Sequence, residues 1–269
     1  MNRVLRPSPA DRAARRRGAC VGALLVALAG PAAAADRAVG LKAQPELMPG
    51  IDAMPQIEAP ADDAERRINA ALRRLDEKVR KAAQACRAEG GTHSDWGRTV
   101  KTPMRGPRFL SVEIADGTYC GGPHPNAALM AIVYDLTAGA PVDWTALLPP
   151  SLTGKAALET GADGTKMVTL ASERLHALYL KGYRPKTGDA KREGDDDECR
   201  ETVSDTSLNG PPAMMAWLDA GAGGLAVHFD LAHVVQACAD TVVIPTAVLR
   251  REGAKPALTD ALDAAHAKP

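Results

Sequence analysis

The densest concentration of residues able to do chemistry is the run Tyr119-Cys120-Gly121-Gly122-Pro123-His124-Pro125-Asn126. Two adjacent glycines open backbone conformations closed to other residues, and two prolines fix φ on either side of one imidazole. A histidine held in this way suits a ligand, a base or a binding contact, with Gly121, Gly122, His124, Pro125 and Asn126 as the binding residues. The same pattern suits a shaped strand-to-strand connection, in which Cys120 anchors the loop and His124 bonds the backbone. Spacing specifies no acid partner for His124, since Asp135 and Asp143 are near it only along the chain.

Other catalytic signatures are missing. There is no GxSxG for a nucleophile elbow and no HExxH for zinc hydrolysis. Gly154-Lys155 is preceded by PPSLT, which supplies no glycine to cradle a phosphate, and no GxGxxG follows a strand. The remaining histidines, His93, His176, His228, His233 and His266, stand singly and predict no metal cluster. The acidic run Asp195-Asp196-Asp197-Glu198 lacks the regular spacing and central glycine of a calcium loop, so it reads as a solvated excursion. No cofactor, metal or catalytic residue is expected.

Beyond Cys20 in the leader, the cysteines are Cys86, Cys120, Cys199 and Cys238. No two share a CxxC spacing, which argues against a metal site. An even count in an oxidising compartment points to two disulfides. Three pairings are open; Cys86–Cys120 with Cys199–Cys238 closes the shortest loops and is the expected one. Thiols so paired supply no nucleophile.

Several elements must position these residues. The stretch 36–60 carries Pro45, Pro49, Pro55 and Pro60 without a periodic apolar face and reads as an extended or mobile lead-in. A helix is predicted from Asp62, with Glu65 as a capping-box partner and Ile68, Leu72, Leu75, Val79, Ala82 and Cys86 forming one stripe up to Gly90-Gly91. From Trp96 the period becomes two, and Leu110, Val112 and Ile114 alternate with Ser111, Glu113 and Ala115 as a half-buried strand. Asp116-Gly117 reads as a turn, residues 127–136 as a second strand, and Asp143 as the cap of a short helix ended by Pro149-Pro150. A helix is predicted over 164–181 with Val168, Ala171, Leu175 and Leu178 on one face. The span 182–210 should be a surface excursion tied down by Cys199. Strands are predicted at 213–218, 224–230 and 241–245, with a short helix near 231–238. The pattern predicts an α+β fold: an antiparallel sheet, an N-terminal amphipathic helix, and further helices packed on one side. Residues 61–250 would form a single domain and 251–269 a peripheral tail.

The first 35 residues have the three parts of a secretory signal. Six arginines and one acid precede an apolar run from Ala19 to Gly30, followed by the small-residue site Ala33-Ala34-Ala35. The run is shorter than the roughly 20 residues that span a bilayer, and no second apolar stretch reaches membrane length, so no membrane span is expected after cleavage. Paired arginines leave the general and the twin-arginine export routes both open. Cleavage after Ala35 removes six Arg and one Asp from 33 basic and 33 acidic residues, leaving 27 against 32 and a net charge of −5. An acidic exported chain is a poor match for nucleic acid and a plausible partner for a cationic protein or ligand.

The run CGGPHPNAALMAIVYDLTAGAPVDWTALL resembles the signature of a bacterial extracytoplasmic domain of unknown function. That domain occurs at the C-terminus of the lysozyme-sensing anti-sigma factor RsiV and in PdaC-type peptidoglycan deacetylase relatives. Gly224-Leu225-Ala226-Val227-His228-Phe229, continuing through Val243-Ile244-Pro245 to Leu249, is similar to the family's closing strand, short helix and strand-Ile-Pro ending. The resemblance covers about 108–250, with Pro123 where the family usually has Ala, and His233 and Cys238 where aromatic residues are common. It implies a stand-alone periplasmic or secreted cell-envelope module that binds an unknown ligand, with lysozyme-like proteins or cell-wall material as the expected partners. The alternatives are an envelope hydrolase using His124 and a purely structural periplasmic protein.

Overall fold

The computed structural model describes residues 37–161, 163–184, 195–207 and 210–267, with the side chains of residues 195, 196 and 233 excepted. The expected leader, 1–35, with Cys20, lies outside the described residues, as does 185–194 within the expected excursion.

Two short strands, β1 (Leu41–Lys42) and β2 (Gln56–Ile57), pair antiparallel ahead of the long helix α1 (Asp63–Gly90). The Asp62 carboxylate caps that helix by accepting from the Glu65 N–H at 2.9 Å. Glu65 reaches back to the Ala61 N–H at 2.7 Å and takes Arg37 on both carboxylate oxygens. Ile68, Leu72, Val79, Ala83 and Cys86 form the buried stripe. Polar residues on the buried side hold the segment before the helix. Asn69 accepts from the Ile57 N–H at 2.7 Å and donates to its carbonyl at 2.9 Å, and Asp76 accepts from the Met54 N–H at 2.9 Å. The lead-in, expected to be extended or mobile, is packed rather than mobile, with Val39, Ile51, Met54 and Ile57 each at most 2% exposed. Its prolines forbid a helix, and the helix's amide and carboxylate supply partners that an isolated extended backbone lacks.

The first sheet runs in the order β3 (Asp95–Arg105), β4 (Phe109–Tyr119), β5 (Asn126–Asp135) and β6 (Ala140–Pro141), all antiparallel. The turn expected at Asp116-Gly117 is absent. β4 continues through both residues because Asp116 pairs with Arg98 across the ladder and Gly117 lies between Gly97 and Ala127. The β3–β4 reversal instead falls at Gly106, whose φ is +102° and where a Cβ would stand 2.3 Å from the Arg37 carbonyl oxygen.

After α2 (Trp144–Leu147), capped by Asp143, and α3 (Pro150–Thr153), the chain enters a second sheet. The helix expected over 164–181 is divided there. β7 (Lys155–Thr160) pairs with β8 (Lys166–Ala171), and Ser172 then caps α4 (Glu173–Gly182) by accepting from the Leu175 N–H. Periodicity misled because Val168 and Leu170 meet the core as alternate residues of a strand, while helical spacing holds only from Leu175. Beyond α5 (Asp195–Ser204) come β9 (Met214–Asp219), β10 (Gly224–His228), a 3-10 turn (His233–Cys238) and β11 (Val242–Pro245). The sheet order is β11-β10-β9-β8-β7, antiparallel throughout.

The last elements are α6 (Thr246–Glu252) and α7 (Pro256–His266). The expected peripheral tail is corrected here: Leu258 and Leu262 are fully buried and belong to the main core. Two apolar residues four apart after a helix-starting proline sufficed for a docked helix.

The fold is α+β, as the alternation of the sequence predicts. Leu110, Val112 and Ile114 turn one face of the first sheet to Ile68 and Leu72 of α1. Phe109, Ala131 and Val133 turn the other face toward the second sheet. β9 overruns β8, and its spare N–H groups reach the first sheet: Leu218 donates to Ser111 Oγ at 3.2 Å and Ala220 to the Pro103 carbonyl at 3.1 Å. Two contacting sheets take the place of the single sheet expected. Among the described residues, no helix is long and apolar enough to cross a membrane.

Candidate functional site

The glycine-proline-histidine run lies where β4 connects to β5. Cys120 bonds to Cys86 near the end of α1, and Cys199 on α5 bonds to Cys238 in the 3-10 turn. Gly121, at φ +90°, passes so close to the helix end that a Cβ would stand 3.1 Å from the Gly90 Cα. This glycine thus serves the docking of the connection on α1. Gly122, His124, Pro125 and Asn126 are exposed. Asn126 begins β5, and Pro125 and Asn126 border a recess of about 370 Å³ with Gln236. His124 is not among the residues lining the cleft between the sheets, and the structure does not bring Asp143, at the far end of the first sheet, to that connection.

A cleft of about 750 Å³ lies between the sheets. Side chains alternate across a strand, so Lys101, Glu113, Ala115, Ala127 and Leu129 share one face of the first sheet through the pairs Lys101–Glu113 and Ala115–Leu129. Opposite them stand Trp217 and Asp219 from β9, and His228 and Asp230 from the end of β10. The third wall is Gln236, Ala237, Ala239, Asp240 and Thr241.

That third wall is a strap held at both ends. Gln236 Nε2 donates to the Ala127 carbonyl at 2.6 Å. At the other end, Cys238 carries the disulfide, and its carbonyl accepts from the Tyr183 hydroxyl at 2.7 Å. The Asp240 carbonyl accepts from the Tyr179 hydroxyl at 3.0 Å. Both tyrosine rings are fully buried and stack at 5.6 Å between centroids.

The cleft is acidic. Among the described residues that line it, Glu113, Asp219, Asp230 and Asp240 are acidic, and Lys101, the one lysine or arginine, bonds Glu113 at 3.0 Å. Asp116 borders the same space, but strand alternation turns its carboxylate to the α1 side, where Arg98 Nη1 bonds it at 3.1 Å and Asp163 at 2.8 Å. Asp163 also accepts from the Thr165 hydroxyl at 2.6 Å and its N–H at 2.7 Å. Burial pushes the Asp116 carboxyl up to about 6; Arg98 opposes this and the charge of Asp163 adds to it. This buried trio ties β3, β4 and the β7–β8 turn together, and its role is structural.

His228 is the imidazole of the cleft. Its Nδ1 lies 3.4 Å from Thr241 Oγ1, and its Nε2 lies 3.8 Å from Asp230 Oδ1. The Trp217 indole N–H is buried and has no hydrogen-bond partner among the described residues. The arrangement can bind an ammonium or guanidinium group through its carboxylates. Apart from His228, which lies in the stretch similar to the family's closing strand, these residues belong to no motif of the sequence. The one available signal was the ending of three segments in acid: Leu218-Asp219, Phe229-Asp230 and Ala239-Asp240.

No family model matches the chain, and no curated protein matches it. Among solved structures, a member of the DUF3298 family from Bacteroides fragilis is similar over 77% of this chain and 74% of its own, at 13% identity and a TM-score of 0.42.

Proposed function

We propose that this chain is an exported binding module of the bacterial cell envelope, and that it holds a cationic partner in the cleft between its sheets. The observation that carries this reading is the charge of the cleft: among its described lining residues Glu113, Asp219 and Asp230 are acidic, as is Asp240, and Lys101, paired with Glu113, is the one lysine or arginine. The net charge of −5 after cleavage would draw the same class of partner from a distance. Two disulfides fit an oxidising compartment. The resemblance of 108–250 to an envelope domain makes a lysozyme-like protein the leading partner and peptidoglycan the other. Titration calorimetry with a cationic lysozyme and with soluble peptidoglycan fragments tests the choice. Heat with lysozyme alone supports the cationic partner, heat with the fragments alone redirects the site to cell-wall material, and silence with both removes the ligand claim.

The contact of Thr241, His228 and Asp230 favours one second reading, an envelope hydrolase working through His228 in place of His124. In that case His228→Ala should abolish peptidoglycan or ester hydrolysis by the purified chain. A wild-type chain without such activity sets this reading aside.

A further inference from the structure

β7 is the outermost strand of the second sheet, and among the described residues no strand pairs with its free edge. Its sequence is Lys155-Ala156-Ala157-Leu158-Glu159-Thr160, exposed at every position except the half-buried Ala157. Leu158 is 62% exposed, one of two large apolar side chains so placed among the described residues. Natural edges are often blunted by proline, a bulge or charged side chains; β7 has no proline or bulge, and its two charges, Lys155 and Glu159, are of opposite sign.

We propose that this edge is the interface of a homodimer, in which two copies pair β7 with β7 antiparallel about a two-fold axis at Ala157. The charges specify that register. With Ala157 opposite itself, Lys155 of each copy faces Glu159 of the other on one side of the ribbon, twice by symmetry. On the other side Leu158 of each copy faces Ala156 of the other. There it borders a recess of about 260 Å³ lined by Val142, Trp144, Ala156 and Val168. Neither Lys155 nor Glu159 forms an ion pair with a described residue of its own copy, so both are available to the second. Opposite charges directly across a ladder stabilise pairing, and like charges destabilise it. The result is an isologous contact that joins two five-stranded sheets into one of ten strands. A contact confined to one strand and its flanking side chains is at the small end of specific interfaces, so the dimer is weak and depends on concentration.

Sedimentation equilibrium on the secreted chain with its disulfides intact, from about 1 µM to about 1 mM, tests this. The expected mass rises from one chain to two. Lys155→Glu and Glu159→Lys each place like charges opposite one another twice, and each should weaken association about tenfold or more. The combined variant K155E/E159K recreates the complementary pairs in reverse and should restore the dissociation constant to within about twofold of wild type. Leu158→Glu removes the apolar contact independently and should leave a folded monomer. A mass of one chain at every concentration overturns the proposal and leaves the edge to an extended segment of another protein. A dimer indifferent to both single reversals, or a combined variant that stays monomeric, overturns it equally.

Discussion

At the residue scale, the sharpest consequence concerns Asp116. Its carboxyl is held up at about 6 in the fold by burial, against 3.8 when unperturbed. Between those values the folded state binds more protons than the unfolded chain, so this group's contribution to stability increases as pH falls from above 6 to below 4. At pH 7 it is ionised in both states and the burial cost is fully felt. Two units correspond to about 3 kcal/mol. The difference in unfolding free energy between wild type and Asp116→Asn, from denaturant titration, should therefore change by about that amount between pH 7 and pH 4, with wild type gaining on acidification. A difference between the two that stays constant with pH would remove the assignment. The same residue shows why a two-residue turn signal failed: the dipeptide Asp-Gly is a turn only where no partner claims the aspartate, and Arg98, 18 positions earlier, claims this one.

At the element scale, the strap over the cleft is a few residues of 3-10 turn that could not hold their position alone. They depend on Gln236 at one end and on the Cys199–Cys238 bridge with two tyrosines at the other. Bridges that span 34 and 39 residues stabilise by about 4 kcal/mol each on chain-entropy grounds. Reduction should lower the melting temperature by many degrees. The variant Cys199→Ser/Cys238→Ser should lose less than full reduction does, and limited proteolysis should cut it first between about residues 230 and 241. An unchanged melting temperature on reduction would refute the two-bridge framework. Elements with one strong signal were readable from sequence: α1 from its cap and stripe, β4 and β5 from alternation, α2 from Asp143. The docking of 37–57 and of α7 was not, because both depend on long-range partners, Asn69 and Asp76 in one case and the Leu147 and Ala220 carbonyls, which bond the Lys255 N–H and the His266 ring, in the other.

At the scale of the whole molecule, the sequence points to a disulfide-braced α+β chain but not to where its acids gather. The cleft is assembled from β3, β4, β5, β9, β10 and the strap, over a span from Lys101 to Thr241. No local motif records such a convergence. The run 119–126, the most conspicuous pattern in the chain, is accounted for in part by the disulfide and by the close pass of Gly121 over the helix end.

The central claim is that the cleft carboxylates hold a cationic partner. Calorimetric titration of a cationic lysozyme into wild type and into the variant Asp219→Lys/Asp230→Lys, at low and at physiological salt, tests it most directly. The account predicts binding by wild type that weakens as salt rises and a loss of about tenfold or more in the folded variant. Equal affinity for wild type and variant, unaffected by salt, would contradict it.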